Sequence, residues 1–397
     1  MSPIPRLQAY SGPALLSYGF RPFFLFGAIY AGLAILAWLP MFNGELTLST
    51  AFGPIDWHVH EMLYGYLPAV VTGFLLTAIP NWTGRLPIQG TPLLVLVAVW
   101  LAGRVAVTFS AEIGWLSAAI IDVSFLVLVV AATAREIVAG NNWRNLRVTA
   151  LVTLLLAGNV AFHLEAHFSG SADYGARIGI AATVLLIAVI GGRIIPSFTR
   201  NWLARENPGR LPVPFARFDV AVIGLSAATL ALWVVQPAGK ITAAALAAAG
   251  VLHIVRLARW AGDRTWRDRL VLILHVGYAF VPFGFLLAGA TALGMVPADT
   301  GTHAWTVGAA GTMTLAVMTR ASLGHTGSAL SASAVTQAIY AAVVIAALAR
   351  ICSSLQPEWS DLLLHIAAFA WVVAYFGFAA SFGPLLVTAQ RGKTKQA

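Results

Sequence analysis

The stretch WHVHEM, residues 57–62, puts two imidazoles, a carboxylate and a thioether within six positions. All of these are ligand types for a first-row transition metal. More histidines follow at His163, His167, His253, His275, His303, His325 and His365. Cys352 is the single cysteine, so no intrachain disulfide and no cysteine pair for zinc or an iron–sulfur cluster is possible. Metal chemistry in this chain must rest on imidazole, carboxylate and thioether.

Spacing sorts these ligands. Residues i and i+4 share a helix face, whereas i and i+2 point roughly 200° apart. His58 therefore pairs with Met62, His163 with His167, and His60 sides with Tyr64. His58 and His60 serve one ion only if the chain there is not yet helical, as it would be with Asp56 as an N-cap; otherwise they serve two neighbouring centres. Met62 is a soft ligand suited to copper or a core filler. Glu61 either orients an imidazole or hydrogen-bonds at the water-facing end of the helix.

The elements that position these groups follow from composition. With 59% hydrophobic and 10% charged residues and a mean hydropathy of +0.81, the chain has no ordinary solvated surface and reads as an all-α integral membrane protein. Continuous apolar runs exclude a β-barrel, whose strands alternate. Stretches of about 17 to 25 apolar residues give a single membrane domain of about twelve spans: 20–40, 57–79, 92–108, 113–135, 146–168, 174–196, 218–236, 240–258, 269–294, 302–319, 331–350 and 359–388. The polar interval 199–219 divides six spans from six, and no repeat relates the halves. Alternate loops collect the basic residues: of the 24 Lys and Arg, all but Arg104, Arg177, Lys240 and Arg350 fall on one side. By the positive-inside rule that side, with both termini, is cytoplasmic. The net charge of +9 thus reads as topology and not as a nucleic-acid footprint. The first apolar run lacks a small-residue cleavage site and reads as a retained helix.

Depth then groups the histidines. His58, His60, His163 and His303 lie at the outer ends of three spans, an arrangement suited to a copper or iron site. His275 and His325 lie in the inner half. His253 and His365 stand alone and read as structural. Arg104 and Asp122 are the most deeply placed charges, on adjacent antiparallel spans. An unpaired charge at that depth costs about 2.5–3.5 kcal/mol on insertion scales, so the two are expected to form a salt bridge, a structural clamp or else part of a proton route.

Several segments together resemble the NnrS family of bacterial membrane proteins: WHVHEMLYGYLPAVVTGFLLTAIPNWTG (57–84), NVAFHLEA (159–166), GGRIIPSFTRN (191–201), LHVGYAFVPFG (274–284) and HAWTVGAAGTMTLAVMTRASLGHTG (303–327). YGFRPFFLFGAIYA (18–31) is similar to that family's opening. The resemblance implies a twelve-helix protein of the bacterial inner membrane that binds haem and copper and acts in the response to nitric oxide and nitrosative stress. The family's histidines carry over onto His58, His60, His163, His275, His303 and His325, and its arginines onto Arg193 and Arg320. His167, His253 and His365 gain no support from it.

Within that expectation the metals have two arrangements. The four outer histidines suffice for three to copper and one to haem iron, or His275 and His325 hold a b-type haem with Arg193 and Arg320 at its propionates. The alternative for both arginines is positive-inside anchoring. No CxxCH is present for covalent haem attachment. Three function classes stay open: a haem/copper protein that reduces or consumes nitric oxide, a sensor or protector of cellular iron, and a twelve-helix transporter. The electron donor is not legible.

Overall fold

In the computed structural model, which describes residues 10–389, the chain is a bundle of long helices. In hydrocarbon every backbone polar group needs an internal partner, and long apolar runs meet that demand as helices. The helices are α1 Phe20–Phe42, α2 Pro54–Thr83, α3 Thr91–Thr108, α4 Trp115–Ala139, α5 Leu146–Ser169, α6 Asp173–Glu206, α7 Arg217–Val235, α8 Lys240–Ala258, α9 Arg269–Ala292, α10 (298–325), α11 Ala334–Leu355 and α12 Ser360–Val387. Eleven helices among the described residues are long and apolar enough to cross a membrane, and α10 is the exception. The run expected at 302–319 is helical, but threonines, glycines and Arg320 make it too polar for a lipid-facing span. It lies among α6, α9 and α11, and Trp305, Ala309, Leu315, Ala316 and Met318 are fully buried. Protein shelters this helix where lipid would not.

Two boundaries differ from expectation. The polar interval at 199–219 begins inside a helix, because α6 continues for 34 residues to Glu206. At 1.5 Å per residue it is ~51 Å long, which outreaches a hydrocarbon core of ~30 Å. The second helix starts earlier than expected, with Gly53 as N-cap and Pro54 at its first turn. Proline's fixed φ suits that position, so Asp56 is not the cap and the backbone is already helical at His58.

Two of the three helices that carry outer histidines widen into π turns directly after the histidine: Glu61–Tyr66 after His60, and Ala304–Gly311 after His303. Such turns are frequent at functional sites. Helix α6 touches both π turns and also packs on α5, α7 and α9, which makes it the central post between the two halves. The Tyr66 hydroxyl of α2 meets Thr314 Oγ1 of α10 at 2.5 Å and also bonds the Tyr375 hydroxyl of α12.

Basic residues counted as inner-side anchors have more specific places. Arg21 is buried and donates to the carbonyls of Leu386 and Thr388, each at 2.8 Å, capping the orphan carbonyls at the end of α12. Arg256 is fully buried against Asp219, Nε to Oδ1 2.9 Å. Arg6, Arg391, Lys393 and Lys395 lie outside the described residues.

Candidate metal centre

The centre forms where α2, α4 and α5 meet under the loop at Phe52. Asn159 and His163 stand four residues apart on one face of α5, and both reach Asp122 of α4. The Asn159 amide donates to Asp122 Oδ2 at 2.8 Å, and His163 Nε2 lies 3.0 Å from the same oxygen. From α2, His60 turns Nε2 inward, 3.2 Å from Asp122 Oδ2 and 3.0 Å from Asn159 Oδ1. The His60 and His163 rings are 4.8 Å apart, centroid to centroid. One ligand atom each from His60, Asp122 and His163 thus falls within 4.8 Å of the others, and all three residues are buried. This is a set of two imidazoles and one carboxylate that a transition metal accepts.

The surroundings hold those atoms in place. His60 Nδ1 meets Glu61 Oε1 at 2.8 Å, the carboxylate–histidine pairing that fixes the tautomer of a metal ligand. Glu61 is fully buried, so it orients the imidazole and does not lie at a water-facing end. It also accepts from the Tyr30 hydroxyl. Arg104 spans the two carboxylates: Nη1 donates to both Glu61 oxygens at 2.7 Å, and Nη2 donates to Asp122 Oδ1. Gly65 makes the room, since a Cβ there would collide with the guanidinium. Phe52, Phe162 and Tyr64 close around the His60 ring at 5.2, 5.2 and 5.6 Å. Two carboxylates face one guanidinium, which leaves one negative charge to be balanced by a protonated His60 or by a bound cation, because a buried unpaired charge is expensive.

The expected salt bridge between Arg104 and Asp122 is present, and it belongs to this centre. The four outer histidines fall into two pairs, His60 with His163 and His58 with His303. The helical backbone sends His58 away from His60, as the spacing requires, and the His58 ring stacks on Trp38 at 4.1 Å. His58 lies within electrostatic reach of His303 and Arg350. His303 bonds the Asp299 carbonyl through Nδ1 at 2.7 Å, and Asp299 pairs with Arg350 at 3.1 Å. Met62 is half-buried and packs against the core. His167 is stacked on Trp115 at 4.0 Å. His253 has both ring nitrogens bonded, to Ser226 Oγ and the Tyr278 hydroxyl at 2.9 Å each. The exposed His365 bonds the Asp361 carbonyl one turn back at 2.8 Å.

The inner residues each have their own partners. His275 Nε2 meets Thr199 Oγ1 at 2.8 Å, and its Nδ1 edge is packed so closely on Gly262 that a Cβ there would collide with it. The His325 ring lies against Tyr18 and Phe20, both at 5.5 Å. Arg193 donates to Asn145 Oδ1 at 2.7 Å, and the Arg320 guanidinium sits 4.1 Å over the Phe198 ring. Arg320 Nη1 is buried without a hydrogen-bond partner among the described residues.

Sequence reasoning missed Asn159, Tyr30 and the double role of Glu61. Asn159 carried a usable signal, four residues before His163 inside NVAFH. Tyr30 carried none, because it comes from α1 through tertiary packing alone. The family model described as NnrS protein matches residues 14–390. No curated protein matches the chain.

Proposed function

This chain belongs to the NnrS family, and on that premise we propose that it binds nitric oxide at a buried copper ion held by His60, Asp122 and His163, as part of the nitric oxide response in the bacterial inner membrane. The observation that carries this reading is the convergence of three buried ligand atoms within 4.8 Å, beside a carboxylate excess. Copper held there would supply a redox-active centre able to take nitric oxide as a ligand. The residues do the rest: Glu61 holds the His60 ring, the Asn159 amide fixes the Asp122 carboxylate, Arg104 keeps both carboxylates in register, and Phe52, Phe162 and Tyr64 enclose the His60 ring.

Two imidazoles and one carboxylate are equally the ligand set of non-haem ferrous iron, which makes iron the second reading. Haem on His275 and His325 is a further expectation from the family resemblance, and no step here rests on it. Metal analysis of protein purified from membranes tests the proposal. About one copper per chain is expected in the wild type, with loss of at least about tenfold in His163→Ala and in Asp122→Asn at unchanged elution volume. Iron in the same ratio selects the second reading, and full metal content in both variants overturns the site. Steady-state nitric oxide consumption with an artificial electron donor then separates turnover from binding alone.

A further inference from the structure

A pocket of about 170 Å³ opens between the outer ends of α4 and α5, lined by Ala51, Phe52, Ser110, Trp115, Ala118, His163, Ala166 and His167. Of the three ligand residues, His163 alone reaches it. Trp115, Ala118 and Asp122 follow one face of α4, and His163, Ala166 and His167 one face of α5. The pocket therefore sits about one helical turn above the ligand atoms. Alanines create its space, the parallel Trp115 and His167 rings (14° between planes) form its outer wall, and no Asp, Glu, Lys or Arg lines it.

The opposite faces of the same two helices are apolar and turned outward: Leu116 and Ile120 of α4 are 55% and 63% exposed, and Leu164 and Phe168 of α5 are 44% and 73% exposed. On a membrane protein, residues of this kind meet lipid. A cavity of about 150 Å³ is known to hold benzene or xenon, so the pocket has room for a small molecule.

Resting on the metal reading above, we infer that this pocket is the entry and holding site for a small uncharged gas, admitted sideways from the bilayer interface between α4 and α5, with the Trp115–His167 stack as its gate. An apolar diatomic concentrates in hydrocarbon, and both helices that wall the pocket border that reservoir. No Lys or Arg lies along the lining to hold a charged oxyanion.

The test is stopped-flow binding of nitric oxide to the reduced, metal-loaded protein in lipid nanodiscs. Ala118→Phe and Ala166→Phe each fill the pocket from a different helix. Both are expected to slow association by at least about tenfold while metal content stays at the wild-type ratio. Trp115→Ala opens the gate and is expected to hasten binding of a bulkier neutral ligand, tert-butyl isocyanide, relative to wild type. Unchanged nitric oxide rates in both filled variants with the metal retained overturn the route but leave the centre standing. A wild-type protein without metal overturns the centre itself. If one filled variant fails to fold, the other and Trp115→Ala decide the matter.

Discussion

Arg104 donates to carboxylates from two different helices, and sequence spacing exposes only one of those pairings. Arg104 and Asp122 sit on neighbouring antiparallel spans at similar depth, so their bridge is legible from rise per residue and the cost of a lone charge. The bond to Glu61 is not, because it depends on the π turn after His60 and on a cleft opened by Gly65. Arg104→Ala leaves Glu61 and Asp122 facing each other without a cation. Breaking a buried pair by removing one partner costs about 3–5 kcal/mol, so a large fall in melting temperature is expected by thermal denaturation in detergent. Arg104→Lys, a point charge without the guanidinium fork, should recover part of that loss. Full recovery would mean that the fork geometry is irrelevant. Glu61→Gln keeps the shape and removes the charge that orients His60; ligand fixation of this kind is worth about 10–100-fold in metal affinity. Competition with a calibrated copper chelator measures it, and an unchanged affinity would remove Glu61 from the site.

At the scale of elements, helix existence was legible almost throughout, because apolar runs long enough to span a bilayer have no other stable form. Two features were not. The Arg, Trp and Glu residues that close α6 read as loop by polarity, although they are good helix formers. The π turns in α2 and α10 carry no signal in single-residue patterns. The contact of α5 with α6 shows how elements carry the site. Gly175 of α6 lies against the backbone of Phe162, and an added Cβ would come within 2.5 Å of the Phe162 Cα. Phe162 precedes His163, so displacement of α5 moves a ligand directly. Overpacking costs about 1–3 kcal/mol. Gly175→Ala is therefore expected to lower the melting temperature and the metal content together, whereas Gly224→Ala, where a Cβ meets nothing within 4 Å, should change neither. Loss of stability with full metal content would show that the α5 register does not control the centre.

For the whole molecule, the twelve-span expectation corresponds to eleven apolar helices and one sheltered helix, α10. Hydropathy alone does not separate a polar, buried span from a loop, whereas its burial by α6, α9 and α11 does. The positive-inside pattern predicts both termini on the cytoplasmic side. That orientation puts the α11–α12 turn at Gln356 outside and the end of α6 at Asn207 inside. In a Cys352→Ser background, Gln356→Cys should react with a membrane-impermeant maleimide in right-side-out vesicles, and Asn207→Cys only in inverted ones. The opposite pattern would move the metal centre to the cytoplasmic face. The central claim, a transition metal bound by two imidazoles and one carboxylate, is tested most directly by X-ray absorption at the metal edge of the purified protein. The account predicts a copper or iron edge with a first shell of nitrogen and oxygen at ~2.0 Å, as for other imidazole and carboxylate ligands, with multiple scattering from two imidazoles and no sulfur. A protein that carries neither metal, or a first shell made by sulfur or by a porphyrin alone, would contradict it.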